Sequence, residues 1–275
     1  MSAGRGVAAG RSRGLTGRRS VAAGRRMIAV VVFALVPALF AGVLPGGAAV
    51  QPVTFPVESA LAGAELTPAG YRKFVRSIDR SQLAFATSFV EFDHKRVPIP
   101  QGRSEVFVWH FTATYYDKDG WTTEPRGRTS VRRFVRMIAG RGDSIGDRRC
   151  CGVNWFMTKD GRVFQLAAIN AKLRHNPPYD SINTGVEVEA FTQEDISPRQ
   201  YEQLAYLTIY TLKRQGLLGQ GPLRRVVRGH GEMRDAYLER NPGRYAGRDD
   251  FDAPVCDLLR RKIVRFLRQH PQIGR

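Results

Sequence analysis

The chain has 275 residues, with 43 Lys and Arg against 25 Asp and Glu and a formal net charge of +18. That length suits one ordinary domain plus extensions. No aromatic–basic repeat or recognition-helix pattern accompanies the charge, which excludes nucleic acid as the expected partner, and three cysteines without a Cys-x-x-Cys pair exclude a cysteine-built zinc site.

The first fifty residues carry seven arginines and no acid. The basic "GRSRGLTGRRSVAAGRR" runs into the apolar "MIAVVVFALVPALFAGVL" at 27–44, then into small residues ending at Ala49. This order is that of an export signal over 1–49, cleaved after Ala49. An uncleaved membrane anchor is the rival reading, because the apolar run is about long enough to span a bilayer. Export permits a disulfide, so a bridge from Cys150 or Cys151 to Cys256 is expected. On an exported protein the remaining positive charge fits anionic cell-wall polymers or a membrane surface, or serves solubility alone.

Residues 50–66 read as a linker. Order begins at Thr67, an N-cap followed by Pro68 at the first helical position. Tyr71, Phe74, Val75 and Ile78 then make one apolar helical face. Residues 81–104 are mixed and end in a loop. "VFVWHFTAT" (106–114) is a buried strand with His110 near its end. "TSVRRFVRMIAGRGD" is an amphipathic helix stopped at Gly140. "GVNWFMTKDGRVFQL" is a hairpin turning at Asp160-Gly161. "NTGVEVEAF" is a strand carrying Glu187, and Ser197-Pro198 opens the clearest helix. "RRVVRGH" is a short strand ending at His230, and "PVCDLLRRKIVRFLRQH" is a closing basic amphipathic helix. Strands alternating with helices predict an α/β domain over 67–275, with a mixed, largely parallel central β-sheet and helices on both faces.

Chemistry-bearing residues collect at strand ends: His110, Glu187 and His230, with the acidic "RDDFD" (248–252) beyond them. Two imidazoles and one carboxylate make an open zinc site with a position left for water. Zinc makes such a water nucleophilic near neutral pH, and a neighbouring glutamate can take its proton.

Four blocks strengthen this reading. "VFVWHFTAT", "VNWFMTKDGRVFQL", "LRHNPPYDSINTGVEVEAF" and "VVRGHGEMRD" stand in the order in which the zinc-dependent N-acetylmuramoyl-L-alanine amidases carry their signature segments. The chain resembles these type 2 amidases, relatives of the peptidoglycan recognition proteins, over roughly 104–254. The resemblance implies the peptidoglycan-recognition-protein-like amidase fold and cleavage of the amide between N-acetylmuramic acid and L-alanine. It implies His110, His230 and Asp250 as ligands of Zn2+, Glu187 as the catalytic carboxylate, and Arg248 as a helper at the developing oxyanion. It also implies substrate contacts from His175, Thr112 and Asn154, with peptidoglycan or a muropeptide as substrate and a monomeric enzyme.

Three departures from the family pattern stand out. Arg248 replaces the usual Lys. Asn154 and Trp155 replace a His and a Tyr, which argues against a tyrosine-assisted variant. Twenty residues separate His230 from Asp250, so "EMRDAYLERNPGRYAG" reads as an insertion and leaves Asp249, Asp252 and Asp235 open as third ligands. The reading from another class is a non-catalytic peptidoglycan-binding module.

Overall fold

The computed structural model describes residues 57–84, 89–92, 95–98, 102, 104–116, 121–124, 128–138, 153–171, 173, 183–242 and 250–275. The proposed export signal, Cys150, Cys151, His175, Arg248 and Asp249 lie outside the described residues.

Five strands form the central sheet: β3 (Val106–Phe111), β6 (Trp155–Met157), β7 (Val163–Gln165), β8 (Asn183–Val188) and β9 (Val227–Gly229). Their spatial order is β7-β6-β8-β3-β9. Only the β6–β7 hairpin is antiparallel; β8 runs parallel to β6 and β3, and β3 parallel to β9. Gly161 closes the hairpin turn at φ 77°, a left-handed conformation that costs glycine little.

Alternation along β3 divides two environments. Phe107, Trp109 and Phe111 join the main core, where α1 (Val57–Gly63), α2 (Pro68–Ser77), α4 (Pro198–Arg214) and α7 (Ala253–Gln269) also contribute apolar side chains. Trp109 Nε1 donates to Thr208 Oγ1 of α4 at 3.0 Å, so the indole's one polar group is satisfied in the interior. On the opposite face, Val106 and Val108 pack with Met233 of α6 (His230–Arg240). On that side too, Phe134 of α3 (Val131–Ile138) stacks on Phe156 of β6 at 3.9 Å between centroids. The sheet therefore carries helices on both faces.

The helix starts follow the sequence. Thr67 Oγ1 accepts from Gly70 N, and Ser197 forms a capping box with Gln200. Other elements differ from expectation. Helix α1 lies inside the presumed linker and buries Ala60 and Leu61. The mixed stretch contains a hairpin, β1 (Phe89–Phe92) with β2 (Lys95–Pro98). A second small hairpin joins β4 (Tyr115–Tyr116) to β5 (Trp121–Thr122), and a one-turn helix α5 (Leu223–Val226) precedes β9. The last element is α8 (Pro271–Gly274). Cys256 is a free, buried thiol, so the bridge expected for it is not formed. Its Sγ donates instead to Phe251 O at 3.6 Å.

The connections explain where a cleft can open. From β3 the chain passes through α3 on one face to reach β6; from β8 it passes through α4 on the other face to reach β9. Adjacent parallel strands whose crossovers leave to opposite faces define a topological switch point, and ligands bind at the carboxyl ends of such strands.

Candidate metal centre and active site

His110 and Glu187 are directly paired across β3 and β8, and Phe156 of β6 flanks Glu187 on its other side. Paired residues on neighbouring strands project to the same face. The imidazole and the carboxylate therefore share the sheet face opposite the main core, one residue before each strand ends. His230 comes from the third carboxyl end: β9 stops at Gly229 and His230 opens α6.

Asp250 meets both histidines. Its Oδ2 lies 3.0 Å from His230 Nδ1 and 3.4 Å from His110 Nδ1. The imidazole rings are 4.7 Å apart, and the three prospective donor atoms all lie within 4.8 Å of one another. Two ligands each about 2.0–2.1 Å from a tetrahedral zinc stand roughly 3.3 Å apart, so the spacing suits a bound divalent cation. Asp250 Oδ1 is buried without a hydrogen bond, an arrangement that wants a positive partner. The protonation states agree. Burial lowers the His110 pKa, against the opposing effect of its hydrogen bond to the Asp250 carboxylate. Burial would raise the Asp250 pKa, but the two histidines outweigh it and hold the carboxyl below its usual range. A neutral imidazole and an ionised carboxylate are the forms that bind metal.

The local sequence explains how Asp250 gets there. Phe251 is fully buried and adopts φ 33°, a costly conformation for a large side chain. Its ring packs between Trp109 at 6.0 Å and Phe111 at 5.9 Å, which holds the backbone beside Asp250 in place. On the facing side, Gly231 N donates to Asp250 O at 2.6 Å. A Cβ on Gly231 would stand 2.3 Å from that oxygen, and one on Gly229 would stand 2.3 Å from Phe251 O. The glycines on either side of His230 are thus what lets the Asp250 segment close on the start of α6.

One buried network was missed by sequence reasoning. Glu232 reaches back to the Gly229 N–H at 3.0 Å. It also takes two hydrogen bonds from Arg260, at 2.9 and 2.6 Å. Arg260 Nη1 further donates to Val227 O at 2.9 Å. These contacts tie α7 to the β9–α6 junction that presents His230. The legible signal was a glutamate three residues after Gly229, the back half of a capping box; Arg260 looked like one more cation on a basic helix.

The other expected site residues fall elsewhere. Asp252 caps α7, accepting from Val255 N, and Asp235 is an exposed ion-pair partner of Arg234. The "insertion" begins as a continuation of α6 to Arg240. Asn154, expected to touch substrate, is fully buried. Its Nδ2 donates to Ala168 O and Ala171 O, and its Oδ1 accepts from Gly185 N. With both donors spent on backbone, it clasps a loop to β8. Thr112, also expected at the substrate, is buried with its hydroxyl 2.5 Å from Thr114 O and accepting from Ala190 N; it ties the end of β3 to the chain leaving β8. Glu189, two residues past Glu187, accepts from Tyr116 N, Lys159 N and Thr129 Oγ1. Burial pushes its pKa up against those hydrogen bonds.

Residues 100–244 match the family described as N-acetylmuramoyl-L-alanine amidase, and the chain belongs to that family. His110, Glu187 and His230 lie inside the matched segment; Asp250 lies just beyond it. No curated protein matches the chain. Among solved structures, the endolysin amidase LysCS from Clostridium intestinale is 16% identical, with TM-score 0.42, covering 68% of this chain and 95% of its own. The Staphylococcus aureus hydrolase AmiA is 12% identical, with TM-score 0.42, covering 75% and 94%. Drosophila PGRP-LB is 13% identical, with TM-score 0.38, covering 62% and 98%. These likenesses are distant, and the family membership rests on the sequence match. The protein is an amide hydrolase acting on peptidoglycan, with a buried His-His-Asp group suited to a divalent cation.

Proposed function

We propose that the chain hydrolyses the amide joining N-acetylmuramic acid to L-alanine, with zinc held by His110, His230 and Asp250 and with Glu187 as the catalytic carboxylate. The observation that carries this reading is the convergence of three carboxyl strand ends on one face, with Asp250 Oδ2 3.0 and 3.4 Å from two imidazole nitrogens. Bound there, zinc supplies Lewis acidity to the scissile carbonyl and lowers the pKa of water.

The remaining work belongs to the chain. Glu187 is half-buried beside His110 on two paired strands, so its carboxylate is held rigidly where it can accept a proton from the attacking water. It then delivers that proton to the departing amine of L-alanine. The family resemblance assigns Arg248 the role of helper at the developing oxyanion and His175 a contact with substrate. The order of charge, apolar run and small residues over 1–49 supports export, which puts the enzyme on the side of the membrane where the wall is built. Among the described residues no helix is long and apolar enough to cross a membrane.

Mass spectrometry of muropeptides tests the reading. Wild type should release free stem peptides, and Glu187→Gln should release them at least about 100-fold more slowly while still binding zinc. A protein that binds muropeptide, carries no stoichiometric zinc and is unchanged by His110→Ala would instead be a binding module.

A further inference from the structure

The described part of the chain keeps a groove of about 470 Å3 between α5 and the second half of α7. Leu223 and Val264 give it an aliphatic lining, and Arg224, Arg261, Arg265 and Arg268 surround it. All four arginines are exposed. Arg260, also in the lining, is neutralised by Glu232 and Asp257. The other four make no ion pair among the described residues. Arg261, Arg265 and Arg268 fall at i, i+4 and i+7, one stripe of a helix, where like charges repel. Among the described residues the groove thus carries four guanidinium groups without an ion pair and, with Asp257 also in its lining, keeps a net positive charge around one concavity.

We infer that this groove binds a linear phosphodiester polyanion of the cell wall. Guanidinium groups recognise phosphate oxygens bidentately, and a stripe spanning two turns, about 10 Å, matches a repeating chain of phosphates better than one small anion. Two other polyanions fit less well. A membrane surface favours exposed apolar side chains beside the cations, yet Phe191 is the one exposed large apolar side chain among the described residues and lies outside the groove. Single-stranded nucleic acid wants aromatic platforms, and no aromatic ring lines the groove. The choice of a wall polymer rests on the peptidoglycan reading; the preference for phosphodiesters does not.

Position gives the groove a purpose. Helix α7 starts beside Asp250 and runs away from it, so Arg261–Arg268 lie roughly 13–24 Å farther along its axis. Helix α5 precedes β9, at the end of that strand remote from His230. A polymer held there leaves the metal centre open and keeps the enzyme on the wall.

Titration calorimetry of the full chain with poly(glycerol phosphate), repeated at several salt concentrations, tests the inference. Wild type should bind with an affinity that falls steeply with salt, and Arg261→Gln/Arg265→Gln/Arg268→Gln should lose about tenfold or more and flatten the slope. The charge-reversed triple Glu variant should lose more. Turnover of a small soluble muropeptide should be unchanged in the Gln variant, and circular dichroism reports folding whether or not turnover is seen. Equal affinity of wild type and the Gln variant overturns the site. Groove-dependent binding that is stronger to phosphatidylglycerol vesicles or to a DNA duplex than to the polymer overturns the assigned partner.

Discussion

The two faces of β3 are built from one alternating run, yet they do opposite things. Phe107, Trp109 and Phe111 look into a core lined by helices, and their polar atoms are few and paired. Val106, Val108 and His110 look the other way. There the apolar packing against Met233 gives out before the strand ends, and the last side chain is an imidazole. The core face supplies rigidity, and the site face uses it: Phe251, wedged on Trp109 and Phe111, fixes the backbone beside Asp250. The same contrast recurs in the two glutamates near the end of β8. Glu189 is closed off by three donors, whereas Glu187 is half-buried beside a histidine.

Substitutions can separate these roles, beginning with the largest effect. Glu187→Gln should lower turnover by about 10²–10⁴-fold with little change in urea midpoint. Trp109→Ala, one residue from His110 on the other face, should cost roughly 3–5 kcal/mol of stability by urea unfolding, and should weaken metal binding in the folded protein only as far as it loosens Phe251 beside Asp250. If Trp109→Ala left stability intact while abolishing metal binding, the division between faces would be wrong. Glu189→Ala orphans three donors at roughly 1–3 kcal/mol each. It should therefore unfold at much lower urea than Glu187→Gln, although the two positions are two residues apart.

A smaller change tests the close approach that positions Asp250. Gly231→Ala places a methyl where Asp250 O now sits 2.3 Å from the ideal Cβ. The Asp250 segment must shift, and zinc affinity in a competition titration should fall by about 10–100-fold, the range seen when support around a ligand is disturbed. Gly216→Ala is the control for glycine substitution, because its ideal Cβ meets nothing within 4 Å although its φ is 66°. It should carry a modest backbone penalty and leave the metal alone.

Much of this was legible because periodicity and caps are local. The 3.6-residue face at Tyr71–Ile78, the Ser197 capping box and the Asp160-Gly161 turn are each set by neighbours in sequence. His110, Glu187 and His230 were legible for another reason: each sits at the end of a recognisable β-rich run. What sequence hid was anything decided by contact across the fold. Asn154 and Thr112 are polar residues near the site in sequence, but apart from Thr112's bond to Thr114 O their hydrogen bonds go to backbone 14 to 78 residues away. Glu232 and Arg260 are 28 residues apart, and nothing local marks them as partners.

The acidic cluster shows the limit most sharply, and it offers the finest test. Through the resemblance, sequence favoured Asp250 as third ligand but left Asp249, Asp252 and Asp235 open. Asp252 precedes Ala253-Pro254 and accepts from Val255 N, so its carboxylate satisfies an amide at a helix start. Asp250 is set apart by the left-handed turn at Phe251, which aims it at the histidines while Asp252 goes to the helix. Asp252→Ala should therefore cost about 1 kcal/mol of stability, the usual loss for a removed N-cap, and leave zinc stoichiometry and turnover at wild-type values. Asp250→Ala should do the reverse in the folded protein, removing stoichiometric zinc. Loss of zinc from Asp252→Ala at temperatures where the variant is still folded would move the third ligand and take the role assigned to Phe251 with it.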